Sequence, residues 1–530
     1  MHGNSKNKLK REERKLKINF KNAAAVVCCA TLALSLAACG GGKTKKGNGN
    51  DSSLTYWVPL NPNAATSVSN YGDTPFAKEL QKRLNVKIEY QHPTQGSELE
   101  KFNLLVASDS LPDIIEYIWA NYPGGPSKAI KDNIIQPIDI PKKAPNLYSY
   151  IKKNPEIEKM MKTDDGEYFS FPFIRGERSL QTSAGPIIRK DWLDELGMSV
   201  PETIDEWEQV LTAFKTKKGA KYPLCYRTFV EVWGVFSGAF GTVDGLYVDG
   251  GKVKYGALEP GYKEFVAKMN DWYKKGLMPP DFSTMDGSLI DSYMINGNAG
   301  AVIGSVGSGI GKFTDAAKTE GYLLEGAPYP TLKKGQRPQF GQMDNRLPGT
   351  YAALSRDCKN VDLAIKVLDY GYSDEGEMLF NFGIEGESYT MVDGYPTYTE
   401  LITKNPDGLS MSGAMARYIQ AYNAGPFVQD ARYMEQYAAR PQQQAAIKTW
   451  SNTDMEKHLL PNISLLPKDT NIMAKKISAV NSYKDEMLVK FITGAEPLSK
   501  FDDFVKGLKE RGIDDYLKLM NEAYERYNSR

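Results

Sequence analysis

Strand-like and helix-like segments alternate beyond residue 53, and this alternation constrains the fold of the chain more than any other feature. The alternating elements are predicted strands at 54–58, 86–90 and 113–117 and predicted helices at 75–84 and 99–106. The strands are short apolar runs, whereas the helices place apolar side chains such as Phe76 and Leu80 on one face. A strand–helix–strand–helix–strand order predicts a largely parallel sheet, and ligands of such sheets bind beyond the carboxyl ends of the strands.

A second unit of the same kind begins near Gly185. Its predicted elements are strands at 185–189 and 299–303 and helices after Thr203, at 262–273, at 363–368 following Tyr351-Ala-Ala-Leu354, and at 501–527. Thr203 and Glu206 have the Thr-x-x-Glu spacing of a capping box, which marks the start of a helix. A chain of 530 residues has the length of about two to four domains or lobes. The predicted fold class is therefore α/β, with more than one lobe.

The first 38 residues have the features of an export signal. Eight Lys and Arg residues between Lys6 and Lys21 precede an apolar run from Ala23 to Ala38. At about 16 residues this run is shorter than the roughly 20 that a membrane-spanning helix needs. We therefore interpret residues 1–38 as a signal peptide.

The apolar run ends in Leu36-Ala37-Ala38-Cys39, which resembles the lipobox of bacterial lipoproteins. The resemblance implies that Cys39 is diacylated through its sulfur and becomes the first mature residue. Two acyl chains are enough for stable membrane anchoring. Residues 39–53, which are rich in Gly, Lys, Asn and Ser, are predicted to form a flexible tether. An uncleaved membrane anchor and a plain secretory signal are the alternatives.

The charge of the chain argues against binding of nucleic acid. Lys and Arg total 66 and Asp and Glu total 65, but the first 38 residues hold eight of the basic and only two of the acidic residues. The remainder therefore carries 58 basic and 63 acidic residues, a mildly negative balance. A nucleic-acid-binding protein usually presents a basic face instead.

Sequence motifs of enzymes and of metal sites are absent or incomplete. The Gly-rich segment 304–312 follows a predicted strand, but Val306 and Phe313 stand where a P-loop needs Gly and a hydroxyl, and its glycines miss the dinucleotide-binding spacing. Only His92 and His458 lie beyond the signal, which argues against a histidine-rich metal site and a Ser-His-Asp triad. The sequence thus predicts no catalytic residue, no metal site and no cofactor.

Two cysteines, Cys225 and Cys358, remain beyond Cys39. They could form one disulfide in an oxidising compartment, or they could be two buried free thiols. We favour the free thiols.

Aromatic residues make up 11% of the chain, and 7 of them are Trp. Sugar rings stack their apolar C–H faces on aromatic rings, while polar side chains bind the hydroxyls. Trp57, Trp119 and Trp233 lie near predicted turns and are candidates for such stacking, with a role in the core as the alternative for each. Three others are assigned to packing: Trp207, Trp272 and Trp450.

Several stretches of the chain carry a family resemblance. They are 108–115 (Ser-Asp-Ser-Leu-Pro-Asp-Ile-Ile), 188–197, 201–207, 276–280, 381–386 with Tyr389, and 512–527. Together they are similar to the extracellular solute-binding proteins, family 1, of carbohydrate ABC importers, and within that family to the large oligosaccharide-binding lipoproteins of Gram-positive bacteria. The resemblance implies a two-lobe periplasmic-binding-protein fold of type II, in which crossing hinge strands join the lobes and the ligand binds in the cleft. It implies a division into 54–182 with 340–385 as lobe 1 and 183–339 with 386–530 as lobe 2.

The resemblance also indicates where the ligand binds. A Trp that follows Pro-Asp-Ile-Ile stacks on sugar in some relatives, and Trp119 matches that position approximately. Arg189 and Asp191 match a motif at the lobe crossing, where structural and ligand-binding roles are both open. The expected ligand-binding residues are Trp57, Trp119, Arg189, Asp191, Tyr226, Trp233, Arg346 and Glu385.

Two segments depart from the family pattern. Many relatives carry an acidic calcium loop after the helix that ends near Phe214, but residues 215–222 contain no carboxylate, which calcium needs among its ligands. Some sugar-binding relatives place a Trp after the strand equivalent to 299–303, where this chain has Gly and Ser. We therefore expect no calcium in the first segment and no aromatic platform in the second.

The expected function is capture of an oligosaccharide and its delivery to the permease of an ABC importer, without catalysis. The protein is expected to be a monomer, anchored by lipid at the extracellular face of the cell membrane. The alternatives are a polysaccharide-active hydrolase or lyase and a peptide-binding receptor of similar architecture.

The lipobox resemblance generates a direct prediction about Cys39. The substitution Cys39→Ser removes the only thiol at that position, and serine cannot form the thioether that carries the lipid. Cells labelled with a palmitate analogue should therefore incorporate label into the wild-type protein and not into the variant. Equal labelling of the two proteins would contradict the assignment.

Overall fold

The computed structural model describes residues 52–420 and 425–530. The strands of this part of the chain are β1 Ser53–Trp57, β2 Lys87–Gln91, β3 Ile114–Tyr117, β4 Phe171–Arg175, β5 Ala184–Arg189, β6 Leu224–Cys225, β7 Leu246–Asp249, β8 Lys252–Tyr255, β9 Ala301–Ser305, β10 Leu324–Gly326, β11 Tyr351–Leu354, β12 Tyr389–Val392, β13 Tyr395–Tyr398 and β14 Phe427–Gln429.

Helices surround these strands. They are α1 Pro75–Leu84, α2 Glu98–Val106, α3 Gly125–Lys131, α4 Ile140–Lys143, α5 Pro145–Lys153, α6 Pro155–Met161, α7 Lys190–Leu196, α8 Ile204–Lys217, α9 Pro260–Lys274, α10 Gly287–Ile295, α11 Lys312–Ala316, α12 Val361–Tyr370, α13 Asp374–Phe382, α14 Glu400–Thr403, α15 Met411–Tyr418, α16 Ala431–Tyr437, α17 Pro441–Trp450, α18 Pro467–Thr493, α19 Phe501–Glu510 and α20 Ile513–Asn528. None of the described helices is both long enough and apolar enough to cross a bilayer.

The larger sheet has six strands in the order β14-β4-β11-β3-β1-β2. Strand β1 pairs in parallel with both β2 and β3, so the predicted strand–helix–strand–helix–strand unit and its parallel sheet are confirmed. Strand β11 runs antiparallel to both β3 and β4, with Tyr351 opposite Tyr117 on one side and Pro172 on the other. The carboxyl ends of β1, β3 and β4 therefore lie at one edge of the sheet.

The smaller sheet has four strands in the order β10-β5-β9-β6. Strand β6 is parallel to β9, and β5 is antiparallel to β9, with Ala184 opposite Ser305. The first residue of β5 thus lies beside the last residue of β9. Two further hairpins, β7–β8 and β12–β13, complete the described strands.

The chain crosses between the two sheets at their ligand-binding edges. Segment 176–183 leaves the carboxyl end of β4 and enters the amino end of β5. That end of β5 lies beside the carboxyl end of β9, as its register shows. The connection from β10 returns to the amino end of β11, which lies opposite the last residue of β3. The carboxyl ends that bind ligands in α/β sheets therefore face the crossing in both sheets.

Two separate hydrophobic cores accompany the two sheets. The first contains Phe76, Phe102 and Ile114, and the second contains Trp207 and Trp272. Each sheet is covered by helices. Strand β5 is buried along its whole length, whereas the edge strand β2 exposes Lys87 and Glu89. The α/β fold class is confirmed.

The predicted division of the chain into lobes differs from the core packing in its last part. The prediction assigns 386–530 to lobe 2, but Tyr389 and Tyr433 pack in the first core, and β14 is a strand of the larger sheet. Phe340, predicted to begin the return to lobe 1, packs against Tyr247 outside the first core. The core contacts support a last boundary between Tyr437 and Ala438, and the division itself stays a prediction.

Local sequence signals explain where several helices begin and end. The capping box of α8 is confirmed, because Thr203 accepts from the Glu206 amide and the Glu206 side chain accepts from the Thr203 amide. Helix α1 begins as predicted at Pro75, with the Thr74 hydroxyl as its cap. The predicted helix 501–527 is instead two helices, since Gly512 takes a left-handed φ of 94° that an L-residue rarely adopts.

The longest helix, α18, was not predicted from the sequence. Its first half buries only Met473 and Val480 among many charged residues, so the apolar face is narrow there, whereas the second half buries Met487, Leu488, Phe491 and Ile492. The side-chain amide of Asn270 in α9 donates to the carbonyls of Phe491 and Ile492 at 2.9 and 3.0 Å, which satisfies the end of the helix.

Other residues of the sequence prediction are placed as follows. Trp207, Trp272 and Trp450 are fully buried, which confirms their assignment to packing. Cys225 and Cys358 are buried free thiols, as favoured. Burial raises the pKa of each thiol to about 12. Residues 1–51, with the predicted signal, Cys39 and most of the tether, lie outside the described residues.

Hydrogen bonds tie the two crossing segments to one another. The Gln342 side-chain oxygen accepts from the amides of Ser183 and Ala184 at 2.8 and 3.2 Å, and its amide group donates to the Gln181 carbonyl at 3.3 Å. The Thr182 hydroxyl donates back to the Gln342 carbonyl at 3.2 Å. We call residues 181–184 with Gln342 the crossing clamp.

A buried ion pair fixes α18 to the second core. The ammonium of Lys484 lies 2.5 Å from a carboxylate oxygen of Asp244, and both side chains are less than a tenth exposed. The hydroxyl of Tyr262 donates to the other Asp244 oxygen at 2.7 Å. Because both charges are removed from water, each depends on the other for compensation.

This pair predicts a large effect of removing one partner. Lys484→Ala leaves the Asp244 carboxylate buried without its counter-charge, so the free energy of unfolding should fall by about 3–5 kcal/mol. Lys476→Ala on the same helix is the matched control, because its pair with Asp515 is exposed and should contribute about 0–1 kcal/mol. Chemical denaturation of the three proteins measures both effects. Similar losses in the two variants would contradict this account.

Candidate functional site

A cavity of about 410 Å³ opens at the carboxyl ends of β1 and β3. Its volume falls in the range of roughly 300–1,000 Å³ that small-molecule sites occupy. The loop after β1 supplies Pro59, Leu60 and Asn61, and the end of β3 supplies Tyr117 and Ile118. We call it the strand-end cavity.

Deeper walls of the strand-end cavity come from the sheet and from the helices that cover it. The inner lining consists of Tyr56, Tyr71, Phe76, Leu80, Tyr90, Glu116, Val367, Leu368 and Phe380. Tyr56 and Tyr90 stack with ring centroids 5.5 Å apart. The walls are thus mainly apolar and aromatic, with few polar groups, which is the usual character of a ligand-binding pocket.

A wider depression of about 1,040 Å³ lies elsewhere on the first core, between α5 and α12. Its lining includes Lys143, Lys153 and Asp362, which are exposed side chains of the protein surface. It does not involve the strand ends where α/β sheets bind ligands. The strand-end cavity is therefore the better candidate site.

Glu116 is the buried charged group of the strand-end cavity. It lies in β3 and is 3% exposed. Its Oε2 accepts a hydrogen bond from the Tyr56 hydroxyl at 2.5 Å. Burial raises the pKa of the carboxyl to about 7, although the hydrogen bond from Tyr56 opposes the rise.

Tyr56 and Tyr90 are the tyrosines that lie next to Glu116 in the cavity wall. Burial, together with the nearby Glu116 carboxylate, raises the pKa of both hydroxyls, so both stay protonated at neutral pH. Tyr56 can then act as a donor to Glu116 at all physiological pH values. The sequence prediction missed Tyr56, Tyr90 and Glu116. The signal that could have found them is Glu116, a charged residue inside the apolar run Ile114-Ile-Glu-Tyr117.

The structure buries two of the three candidate tryptophans. Trp57 ends β1 and packs against Phe102 and Tyr117, with ring centroids 6.3 and 5.8 Å away. Trp119 is fully buried, lies edge-on to Phe102 at 5.3 Å, and donates from Nε1 to the Tyr351 carbonyl at 3.2 Å. Neither ring lines the strand-end cavity, because both point to the opposite face of the sheet, towards α2. A ligand-stacking role for them stays a prediction that this placement does not support.

Trp233 is the candidate tryptophan that is partly exposed. It ends a 3-10 segment, Thr228–Trp233, that follows β6. Gly234 then takes a left-handed φ of 67°, and a Cβ there would lie 2.7 Å from Phe340. The turn therefore needs glycine, and it sets the position of the Trp233 ring.

Tyr226 lies just after β6 and is 1% exposed. Its ring packs edge-on against Phe236 at 5.6 Å. Burial and the neighbouring Glu231 carboxylate raise the pKa of its hydroxyl. In this conformation Tyr226 is a residue of the second core.

Arg189 and Asp191 form a compact structural unit. The Arg189 Nε donates to Asp191 Oδ1 at 2.8 Å, and a second guanidinium nitrogen pairs with the other carboxylate oxygen. The guanidinium is 2% exposed and lies between the rings of Trp192 and Tyr322, at 4.3 and 4.2 Å. These contacts satisfy the charge of Arg189 at the end of β5 without a ligand.

Arg346 braces the crossing. Its guanidinium donates to the carbonyls of Arg175 and Gly176 at 3.3 and 3.0 Å, to the Tyr150 hydroxyl at 3.0 Å and to Glu156 at 2.5 Å. Its nitrogens are therefore already engaged with protein groups.

Glu385 is exposed in the turn before the β12–β13 hairpin and does not line the strand-end cavity. The predicted set is thus not brought together at one place in the described structure.

No group of three or more His, Cys, Asp or Glu suited to holding a metal ion is present among the described residues. In the segment where relatives carry a calcium loop, Lys215 donates to the Lys275 carbonyl and Lys218 pairs with Glu195. These lysines fix the end of α8 to its surroundings. The donor set of this segment is cationic and does not fit calcium.

The Gly-rich segment after β9 has a packing explanation. It forms a π-helical turn, Val306–Gly311, that leads into α11. A Cβ on Gly309 would lie 2.6 Å from Ile187, and one on Gly307 would lie 2.5 Å from the Tyr437 hydroxyl. The glycines permit close contact with β5 and α16, which accounts for them without a nucleotide.

Comparison with known proteins gives consistent matches over most of the chain. The family model for bacterial extracellular solute-binding proteins matches residues 65–378. Lipoprotein LipO of Bacillus subtilis is 24% identical over 516 residues, an alignment that covers 93% of this chain and 96% of LipO. The fructooligosaccharide ABC transporter substrate-binding protein FusA of Streptococcus pneumoniae is 24% identical over 484 residues, covering 85% of this chain and 87% of FusA.

A solved structure shares the fold. The crystal structure of the alginate-binding protein AlgQ2 without calcium ion superposes with a TM-score of 0.71 at 24% identity. The superposition covers 89% of this chain and 98% of that one. It confirms the predicted two-lobe fold of type II.

The burial of Trp119 predicts a structural effect of its removal. Trp119→Ala deletes a fully buried ring and its hydrogen bond to Tyr351, so the free energy of unfolding should fall by about 3–5 kcal/mol. Trp233→Ala, the same substitution at a partly exposed ring, should cause a clearly smaller loss. Urea denaturation compares the two variants. An equal loss would contradict the different placements of these rings.

The buried Glu116 predicts a pH-dependent difference in stability. The folded-state pKa of about 7 exceeds the ordinary value of 4.5, so the native state holds the proton more tightly, and this contribution to stability is lost as pH rises from about 4.5 to about 7. Glu116→Gln does not ionise and keeps the acceptor for Tyr56. Between about pH 5 and pH 8 the variant should therefore gain up to about 3 kcal/mol of stability relative to the wild type.

Denaturation of both proteins across this pH range measures the difference, and groups that titrate in both proteins cancel. A constant difference at all pH values would contradict the burial of an ionisable Glu116.

Proposed function

The chain belongs to the bacterial extracellular solute-binding proteins, and from that premise we propose that it captures an oligosaccharide in the cleft between its lobes and delivers it to the permease of an ABC importer. A binding protein of this kind performs no chemistry on its ligand. It holds the ligand until the permease accepts it.

The observation that carries the proposal is the strand-end cavity. It lies at the carboxyl edge of the larger sheet, beside the crossing, and its aromatic walls suit the apolar C–H faces of sugar rings. Asn61, Glu116 and Thr350 offer hydrogen-bonding groups for hydroxyls in the same cavity. A largely apolar pocket with a few convergent polar groups is what sugar binding requires.

The names of the relatives support the ligand class. FusA is named for fructooligosaccharide and AlgQ2 for alginate, both of them saccharides of several units. FusA is also named as a component of an ABC transporter.

The smaller sheet is proposed to supply the other wall of the site. The carboxyl ends of β6 and β9 face the crossing, and the chain after them presents Trp233, Ser305 and Ser308. The hydroxyls of Ser305 and Ser308 lie 2.8 Å apart and are exposed. Ligand that contacts both sheets would stabilise the closed arrangement by its higher affinity for it.

The membrane anchor is part of the same proposal. LipO is named as a lipoprotein, and the lipobox at Cys39 would place this protein at the outer face of the membrane, next to a permease. Lipid labelling of Cys39→Ser tests this step separately from ligand binding.

A ligand screen tests the proposal. Ligand at about 100 times its dissociation constant adds roughly 2.7 kcal/mol to the free energy of unfolding, which a thermal-shift assay detects easily. We expect stabilisation by at least one oligosaccharide and none by peptides of similar size. Stabilisation by peptides alone would favour a peptide receptor. If chromatography shows that the bound saccharide becomes shorter over hours, the result would instead favour a polysaccharide-active hydrolase or lyase.

Trp233 provides the sharper prediction for the same site. Trp233→Ala should weaken binding of the stabilising saccharide at least tenfold, about 1.4 kcal/mol, because the stacking surface is lost. Trp233→Phe keeps an aromatic face and should retain most of the affinity. Calorimetric titration measures both variants, and a melting curve confirms that each is folded. Equal affinity of the Ala variant and the wild type would remove Trp233 from the site.

A further inference from the structure

We propose that the saccharide is uncharged, and that Glu116 selects it by accepting a hydrogen bond from a sugar hydroxyl and by repelling the carboxylate of a uronic acid. This inference rests on the proposed function and specifies the ligand class for the same cavity. The names of the relatives do not decide the point, because fructooligosaccharide is neutral and alginate is a polymer of uronic acids.

The charges of the cavity favour a neutral ligand. Two charged side chains line it, Glu98 and Glu116, and both are acidic. Among the described residues, no Lys, Arg or His lines this cavity. A uronate that entered would lose water around its carboxylate and gain no cationic partner, and such a loss is a common basis of specificity.

The geometry of Glu116 leaves one oxygen for a ligand. Its Oε2 is held by the Tyr56 hydroxyl at 2.5 Å, which fixes the orientation of the carboxylate. Within the described residues no hydrogen bond reaches Oε1, and this oxygen is not among the fully shielded polar atoms that lack a partner. It therefore faces the cavity. A ligand hydroxyl that donates to Oε1 would satisfy a group that is otherwise expensive to bury.

Tyr56 makes the carboxylate a fixed acceptor. The side chain of Tyr56 is buried and stacked on Tyr90, so its hydroxyl cannot follow a ligand. A site built around a fixed acceptor discriminates against ligands that cannot donate to it, since the acceptor then stays unpaired. Neutral hexoses carry several hydroxyl donors, whereas a hexuronate has a carboxylate in place of the C6 hydroxymethyl group and so loses one donor and gains a negative charge.

The titratable groups that face Glu116 are tyrosines, so the expected pH dependence of ligand affinity has one main source, which is Glu116 itself. Tyr56 and Tyr90 face it from β1 and β2, Tyr372 from behind α12, and Tyr71 and Tyr117 line the same cavity. The pKa values of Tyr56, Tyr90, Tyr117 and Tyr372 are raised, so these hydroxyls stay neutral.

The other nearby groups lie at the rim or further away. Glu98 is at the rim, and Asp369 lies beyond Tyr372. His92 is held between the Val58 carbonyl and the Tyr71 amide, where burial lowers its pKa.

The experiment is calorimetric titration of the full chain with a matched set of ligands. The set contains the neutral oligosaccharide that gives the largest thermal shift, and oligogalacturonides and oligoalginates of similar length. The proteins are the wild type, Glu116→Gln and the control Glu89→Gln, whose side chain is exposed in β2 of the same sheet. Glu116→Asp, which keeps the charge, is the second variant in case the first does not fold.

We expect the wild type to bind the neutral saccharide at least tenfold more tightly than any uronate. Glu116→Gln should lose at least tenfold in affinity for the neutral saccharide. The difference between its affinities for the neutral saccharide and for the uronates should therefore be smaller than in the wild type. Glu89→Gln should have wild-type affinities. Because the ionised carboxyl is the better acceptor, wild-type affinity for the neutral ligand should also rise from about pH 6 to about pH 8 and stay constant in Glu116→Gln.

The outcomes separate this inference from the function on which it rests. Wild-type preference for a uronate, or wild-type affinity in a folded Glu116→Gln, would overturn the selection of a neutral sugar and leave oligosaccharide binding in place. Binding of no saccharide by the wild type would overturn the proposed function, and this inference with it. The comparison of wild-type affinities for neutral and acidic saccharides needs no variant, so it decides the ligand class even if every Glu116 variant fails to fold.

Discussion

The crossing clamp is the constraint on which the arrangement of the site depends. The side chain of Gln342 accepts hydrogen bonds from two backbone amides of the neighbouring segment and donates one to a backbone carbonyl of that segment. Gln342 is buried, so each of these bonds replaces a hydrogen bond to water that its side chain would make in the unfolded chain. Arg175 adds an ion pair to Asp344 at 2.6 Å, and Arg346 returns to the Arg175 carbonyl. The two connections are therefore tied to one another beside the strand ends of both sheets.

The sequence predicted the parts of the fold that depend on local pattern. The parallel unit β1–α1–β2–α2–β3 is confirmed by the pairing of its strands. It could be predicted because apolar residues recur every two positions in its strands and every 3.6 in its helices, a pattern visible over short windows of sequence. Helix α18 was missed because its first half buries only Met473 and Val480 among many charged residues. Its packing partner α9 also lies some 200 positions earlier in the chain. The β7–β8 hairpin was missed although Gly250 and Gly251, both with positive φ, mark its turn. The lobe boundary after residue 386 could not be read from composition, since β14 joins the larger sheet through tertiary pairing with β4.

The predicted ligand-binding tryptophans and the strand-end cavity lie at the same edge of the larger sheet, but the cavity is lined by other side chains. The predicted residues therefore stay a prediction. Trp57 is the last residue of β1 and Trp119 follows β3. Successive side chains of a strand point to opposite faces, so a shift of one position separates Trp57 from Tyr56. The face that Trp57 joins is filled by Phe102 of α2, whereas the face of Tyr56 keeps a cavity. Which face stays open depends on the volume of helices that pack later in the chain, such as α12 and α13, and no window around β1 contains that information. The sequence also could not show that Arg189 is already engaged, because its partners Trp192 and Tyr322 come together around it only in the folded chain.

Glu116 connects the stability of the first lobe to its proposed function. A carboxylate in the central strands of a sheet lowers the stability of the unbound protein, and a leucine of similar size would pack there without that penalty. The covering helices α12 and α13 pack against the cavity wall in spite of it, so the cost falls on the free protein and would be relieved when a donor enters. Such a group contributes to specificity more than to affinity, because a ligand without a suitable donor leaves the penalty in full. The same reasoning supports the proposed role of the carboxylate in an otherwise apolar cavity: the aromatic walls suit many flat ligands, and a fixed acceptor would favour those that carry hydroxyls and no negative charge.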